Sequence, residues 1–213
     1  MIKVLLCDDH ALIRRGIRDT LSDAADIEVV GEAGDYGELR ALLRGVSVCD
    51  VLVLDINLPG RSGLDVLHAL KDEGSPLRVL VVSMYPEEQY AIRALRAGAY
   101  GYVNKAGDPQ LIVSAVRTVA QGRKYVTPEI AQMLVESLTA PVASNPHEKL
   151  SDRELQTLTM IASGKRLSDI AEQLKLSPKT VSVYRARVLE KLGLSNNSEM
   201  TVYAIRNGLV GEA

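Results

Sequence analysis

Two aspartates stand together at Asp8-Asp9, a third at Asp55, a serine at Ser83 and a lysine at Lys105. Each follows a short apolar run: Ile2–Cys7, Val51–Leu54, Val79–Val82 and Tyr100–Val103. Carboxylates brought close together repel, which raises the cost of keeping all of them ionised. A hard divalent cation relieves that conflict, and oxygen ligands at about 2.1 Å suit Mg²⁺. A cation with open positions beside a carboxylate, a hydroxyl and an ammonium makes a phosphoryl-transfer site. The cation and Lys105 would offset the charge on the phosphoryl oxygens while Asp55 attacks. Each residue also has an ordinary reading: Asp8 or Asp9 as a helix cap, Ser83 as a strand end, Lys105 as a solvated turn residue. The coincidence at four strand ends is what favours chemistry.

These residues meet only if the strands run parallel with the same ends together. The intervening segments allow it. His10–Leu21 has helical spacing in Leu12, Ile13, Ile17 and Leu21. Ile27–Val30 reads as a further strand, and Asp35–Leu43 as a helix with Asp35 as N-cap. Leu64, Val66, Leu67 and Leu70 make another helical stripe. Glu87–Ala97 is helical and stops at Gly98, and Pro109 opens a helix running to about Gln121. Five strand–helix repeats imply a five-stranded, doubly wound parallel sheet of the flavodoxin-like kind, with right-handed crossovers. No GxGxxG or GxxxxGK[ST] pattern occurs, so neither a dinucleotide nor a nucleoside triphosphate is the indicated ligand.

The chain has 213 residues, 46% hydrophobic and 24% charged, as in ordinary globular proteins. No stretch approaches the roughly 20 apolar residues of a membrane span, and the N-terminus reaches acid too early for a signal peptide. Cys7 and Cys49 lie in or beside apolar runs and read as reduced core residues. The expected location is the cytoplasm. Charge divides unevenly: residues 148–213 carry 10 basic and 8 acidic side chains, and residues 1–147 carry 15 and 19. The basic half is the candidate for touching a polyanion.

That half reads as helices. Ser151 and Glu154 form a capping box, and Gly164 ends the helix they start. Ser168–Leu174 follows, with a turn at Lys175-Leu176-Ser177. Ser177 and Pro178 open a helix that buries Val181, Val188, Leu189 and Leu192 and stops at Gly193. A last helix spans about Ser198–Asn207. This is a small all-α helix-turn-helix module. Its third helix is expected to expose Lys179, Thr180, Ser182, Val183, Tyr184, Arg185 and Arg187. The basic residues suit phosphates, and Ser182, Val183 and Arg187 suit base edges. The domain boundaries read as 1–125 for the sheet domain, 126–149 for a connector with a helix at Pro128–Leu138, and 150–213 for the helical domain. The proline-bearing run Thr139–His147 marks a flexible boundary, with His147 as a solvated linker residue.

The set Asp8-Asp9, Asp55, Ser83 and Lys105, with the run Gly98–Lys105, resembles a two-component receiver domain. Leu150–Val210 resembles the LuxR-type helix-turn-helix, with its Leu-Ser-x-Arg-Glu start and Ser-x-Lys-Thr-Val core. Together the halves resemble a NarL/FixJ-family response regulator, and the Lys179–Arg187 run is most similar to the GacA/UvrY-like branch. Many relatives have lysine where Ser182 stands and histidine at Tyr184, a departure that bears on the target sequence. The resemblance implies that Asp55 accepts phosphate from a sensor histidine kinase. It implies that Asp9 binds Mg²⁺ directly, Asp8 through water, and Asn57 through its backbone carbonyl. Ser83 and Lys105 would bind phosphoryl oxygens, and Tyr102 matches the switch aromatic. The implied partners are the kinase, double-stranded DNA and a second copy on activation, paired through Met200, Val202, Tyr203 and Ile205.

Two other functional classes make different demands on the sequence. An aspartyl phosphatase commonly places a second acid two residues after its nucleophile. Asn57 stands there, which argues for a regulator and against an enzyme. A signalling adaptor acting through protein contacts alone is disfavoured by the complete helix-turn-helix.

Overall fold

The computed structural model describes residues 1–45, 49–139 and 145–210. The chain divides into two compact units, Met1–Thr139 and Ala140–Ala213.

The first unit alternates β1 (Ile2–Cys7), α1 (Ala11–Ser22), β2 (Ile27–Ala33), α2 (Tyr36–Gly45), β3 (Val51–Asp55), α3 (Gly63–Asp72), β4 (Arg78–Ser83), α4 (Glu87–Ala97), β5 (Gly101–Asn104), α5 (Pro109–Ala120) and α6 (Pro128–Thr139). All pairings are parallel, in the order β2-β1-β3-β4-β5. The order reverses between β1 and β3, and a doubly wound sheet opens its crevice at the carboxyl ends of the strands there. Asp8 follows β1 and Asp55 closes β3, so both stand at that crevice.

Burial explains the apolar runs. β3 is buried along its whole length, as expected of a central parallel strand covered on both faces. Val51 and Val53 share a core with Leu6 of β1, Leu80 of β4, Ile17 of α1 and Val116 of α5. Leu52 and Leu54, of opposite parity, are equally buried and point to the other face. The strands outrun their apolar stretches. β2 continues past Val30 because Gly31, Glu32 and Ala33 still pair with Leu5, Leu6 and Cys7. β5 is Gly101–Asn104, one residue later than hydropathy suggests, since Asn104 pairs with Ser83. α2 starts as its cap implies: Asp35 Oδ1 accepts the Glu38 N–H at 2.9 Å.

The helix that the spacing of apolar residues predicts in the connector, α6, packs on α4 in the first unit. Ile130 is fully buried, and Thr127 Oγ1 donates to Glu87 Oε2 at 3.2 Å. The expected flexible run falls mostly on residues 140–144, which lie outside the described residues.

The second unit opens with a 3₁₀ turn at Pro146–Lys149, then α7 (Asp152–Ala162), α8 (Leu167–Gln173), α9 (Pro178–Leu192) and α10 (Asn197–Arg206). The capping box forms, with Ser151 N–H donating to Glu154 Oε2 at 2.7 Å. Leu155, Leu158, Ile170, Val181, Val188 and Met200 are buried. Leu189 and Leu192 are only half-buried. The turn between α8 and α9 puts Lys175 at φ 52°, the left-handed region, and Gly193 at φ 64° stops α9.

Candidate functional site

Three strand ends build the acidic pocket. Lys105, just beyond β5, places its Nζ 2.6 Å from Asp8 Oδ2 and 2.7 Å from Asp55 Oδ2. All three side chains are only 2–3% exposed. The Lys105 backbone N–H donates to Ser83 O at 2.8 Å, which fixes where the lysine leaves the sheet edge. Asn57 N–H donates to Asp55 Oδ1 at 3.1 Å, and His10 N–H to Asp8 Oδ1 at 2.9 Å. Arg14 reaches the Asp8 carbonyl from α1 and pairs with Glu32. Neither Asp8 nor Asp9 caps α1; His10 holds that position without a side-chain cap bond.

Burial pushes the Asp55 carboxyl above its usual range. Lys105 opposes that, and repulsion from Asp8 adds to it. Burial, with Asp55 and Asp8 beside it, pushes the Cys7 thiol up to about 12, so Cys7 stays protonated and is no nucleophile. Asp8, Asp9, His10 and Asp55 each offer a ligand atom, all within 4.8 Å of one another. Three carboxylates against one ammonium leave an excess of negative charge. A like-charge pair at about 4 Å costs on the order of 4 kcal/mol in partly polar surroundings. An oxygen-rich, anionic donor set of this kind fits a hard divalent cation. The Asn57 Oδ1 is a further buried oxygen, without a hydrogen-bond partner among the described residues.

Ser83 ends β4, fully buried, and its Oγ accepts the Tyr85 N–H at 3.1 Å. The Tyr102 O–H donates to the Tyr85 carbonyl at 2.7 Å, and Asn104 Nδ2 donates to the same oxygen at 3.3 Å. Tyr102 is fully buried, and that burial raises its phenol pKa. Tyr85 stacks on Tyr90 of α4 at 4.6 Å between ring centroids. One loop therefore links Ser83 to α4 and to the ring of Tyr102.

In the second unit, α9 presents Lys179, Ser182, Val183 and Arg187 to solvent. Thr180, Tyr184 and Arg185 are half-buried, which corrects the expectation that all seven side chains lie on the outer face. Val181 and Val188 define the inward side, and at 100° per residue Thr180, Tyr184 and Arg185 fall on the flanks. Arg185 Nε also donates to Asn197 Oδ1 at 2.6 Å, tying α9 to α10. Burial would push Glu154 up, but Lys191 of α9 and the Ser151 N–H outweigh it and hold its carboxyl below the usual range. On α10, Val202 and Ile205 are 47% and 37% exposed, whereas Met200 is core, not surface. His147 is not a solvated linker residue: its backbone N–H donates to Tyr203 Oη at 3.2 Å.

Residues 4–117 match the family model "Response regulator receiver domain", and residues 148–204 match "Bacterial regulatory proteins, luxR family". The chain belongs to the LuxR-type response regulators. It is 40% identical over 210 residues to "Response regulator UvrY" of Escherichia coli K12, covering 98% of this chain and 96% of that protein. It is 38% identical to "Response regulator GacA" of Pseudomonas aeruginosa over 214 residues, with both chains fully covered. Among solved structures it resembles RcsB from Salmonella enterica serovar Typhimurium bound to promoter rprA in the presence of phosphomimetic BeF₃⁻. There the TM-score is 0.64 and the identity 26%, over 95% of this chain and 97% of that one.

This response regulator thus joins a receiver to a LuxR-family DNA-binding unit and regulates transcription; its relatives are regulators, not enzymes. Receiver domains take Mg²⁺ at an acidic pocket, and Asp8, Asp9 and Asp55 form such a cluster here. Among the described residues no helix is long and apolar enough to cross a membrane. Sequence reasoning missed His10 and Gly63. His10 adjoins Asp8-Asp9 in the chain, a signal that was available. Gly63 was not legible: a Cβ there would sit 2.0 Å from Asp55 O, a contact only the folded loop creates.

Proposed function

We propose that Asp55 is the phosphoacceptor of this response regulator, and that a sensor histidine kinase in the cytoplasm supplies the phosphoryl group. The observation that carries the reading is the buried Lys105 ammonium shared by Asp8 and Asp55. It stands where charge develops when Asp55 attacks. An Asp55 carboxylate oxygen bonds to phosphorus as the phosphorus–nitrogen bond of the donor breaks. The electron pair leaves with the donor imidazole, which takes up a proton. Lys105 then turns to a phosphoryl oxygen, and Ser83 donates its hydroxyl proton to another. Asp8, Asp9, Asp55 and the Asn57 backbone carbonyl would hold Mg²⁺, which when bound offsets the charge of carboxylates and phosphoryl oxygens.

Movement of Ser83 draws on Tyr85, and through Tyr85 on Tyr102 and α4. Moving a two-state balance from 1:99 to 99:1 takes about 5.5 kcal/mol. One charge pair at about 4 Å is worth on the order of 4 kcal/mol. Lys105 and Ser83 acting together are therefore of sufficient size to move the surface, and either alone is marginal.

The output is operator binding by a dimer. In this reading α9 enters the major groove, with Lys179 at phosphates and Ser182, Val183 and Arg187 at base edges. Thr180, Tyr184 and Arg185 flank the groove. Val202, Tyr203 and Ile205 of α10 pair two copies over half-sites about 10–10.5 base pairs apart. The test is Asp55→Asn exposed to acetyl phosphate and run on a phosphate-affinity gel. The retarded band of the wild type should vanish; a normal retarded band removes Asp55 as the acceptor.

A further inference from the structure

His10 has no part in the chemistry above, yet it stands at the mouth of the acidic pocket. Its ring is 55% exposed, and its Nδ1 lies 2.7 Å from Asp9 Oδ1 and 3.8 Å from Asp8 Oδ1. At 2.7 Å the Nδ1–Asp9 contact is a hydrogen bond, so a cation bound between the two would take the place of the Nδ1 proton, which is released to solvent. One atom from each of Asp8, Asp9, His10 and Asp55 falls within 4.8 Å of the others. Donors that share one cation at about 2.1 Å stand roughly 3–4.5 Å apart, so the cluster needs only small shifts to close on an ion. Lys105 occupies the buried side of Asp8 and Asp55. A cation therefore enters from the exposed side, where His10 stands.

We infer that His10 is a protein ligand of the pocket's cation, making the site a mixed oxygen–nitrogen one. The inference rests on the acidic pocket being a cation site, as proposed above. An imidazole nitrogen adds little for Mg²⁺, a hard cation that favours oxygen and keeps its waters. It adds more for Mn²⁺ and the later first-row cations, which bind nitrogen donors with rising affinity. The pocket accordingly takes Mn²⁺ as well as Mg²⁺, and His10 sets the preference between them.

The test uses the full-length protein and Mn²⁺. Pulsed electron paramagnetic resonance of bound Mn²⁺ should show nitrogen-14 coupling from a coordinated imidazole, and His10→Ala should abolish it. In equilibrium dialysis His10→Ala should bind Mn²⁺ about 10-fold more weakly, with Mg²⁺ affinity, read by competition, changed less than about 2-fold. Asp9→Asn should weaken both cations. The exposed His10 ring makes loss of fold an unsuitable explanation, and an unchanged melting temperature confirms it. Bound Mn²⁺ without nitrogen coupling, or equal losses for the two cations, overturns the inference alone. Wild-type protein that binds neither cation overturns the cation pocket and the inference with it.

Discussion

Lys105 and Asp55 show how one buried charge depends on another. Removing the partner of a buried ion pair costs about 3–5 kcal/mol, because the remaining charge is left without compensation. Lys105→Met leaves Asp8 and Asp55 in that position. Urea unfolding at neutral pH without divalent cation should show a loss of that size, and Mg²⁺ should restore part of it. Asp55 itself behaves in the opposite sense. Its folded pKa is raised by burial and by Asp8, so the folded state binds the proton more tightly than the unfolded chain. Stability from this group therefore increases as pH falls through the folded pKa, and the ionised form is the costly one. Asp55→Asn should melt above the wild type at pH 7, and the gap should close as acid protonates Asp55. Calorimetry from pH 7 down to the ordinary carboxylate range checks both the sign and the window. A gap that widens in acid would contradict the assignment.

At the scale of elements, the β3–α3 loop and α9 carry the function in different ways. Gly63 donates its N–H to Ile56 O at 2.8 Å, and a Cβ there would meet Asp55 C and Ile56 Cα at 2.9 Å as well as Asp55 O. Those are backbone atoms at the end of a buried strand, so the loop must move. Gly63→Ala should cost about 1–3 kcal/mol and slow phosphoryl uptake by displacing Asp55. Circular dichroism melts with acetyl phosphate kinetics measure the two effects. On α9, Arg187 and Arg185 should separate. Arg187 is free of the unit's core, so Arg187→Ala should weaken operator binding by about 1–3 kcal/mol and relax specificity at the base it contacts, with the salt slope little changed. Arg185 is tied to Asn197, so Arg185→Ala should also lower the melting temperature. Fluorescence anisotropy at several salt concentrations and thermal melts distinguish them.

For the whole molecule, the proposal requires communication between the receiver and the DNA-binding unit. A ligand moves a two-state equilibrium only by its differential affinity for the two states. Beryllofluoride, as a mimic of the phosphoryl group, should raise both self-association and operator affinity by about 10-fold or more, a change of about 1.4 kcal/mol. Sedimentation velocity and anisotropy, with and without the mimic, read the two outputs. If neither moved while beryllofluoride bound, Asp55 would not govern the DNA-binding unit.

The chain itself determined the sheet, its parallel sense and the strand-end positions of Asp8, Asp9, Asp55, Ser83 and Lys105. Buried parallel strands must be near-continuously apolar, so a polar residue breaks such a run at the strand's end, where it leaves the two covered faces and can meet other polar groups at the sheet edge. It also determined the helix-turn-helix, because Ser151, Ser177, Pro178 and Gly193 punctuate helices through purely local hydrogen bonding and backbone geometry. The tertiary structure decided what depends on distance across the chain. It shows Lys105 bridging Asp8 and Asp55, the His10 ring beside the acidic cluster, and Gly63 against the Asp55 backbone. It also places Thr180, Tyr184 and Arg185 on the flanks of α9 and Met200 in the core. Periodicity fixes the face a residue occupies on its own helix, but burial is set by the neighbours that pack there, and those come from elsewhere in the sequence.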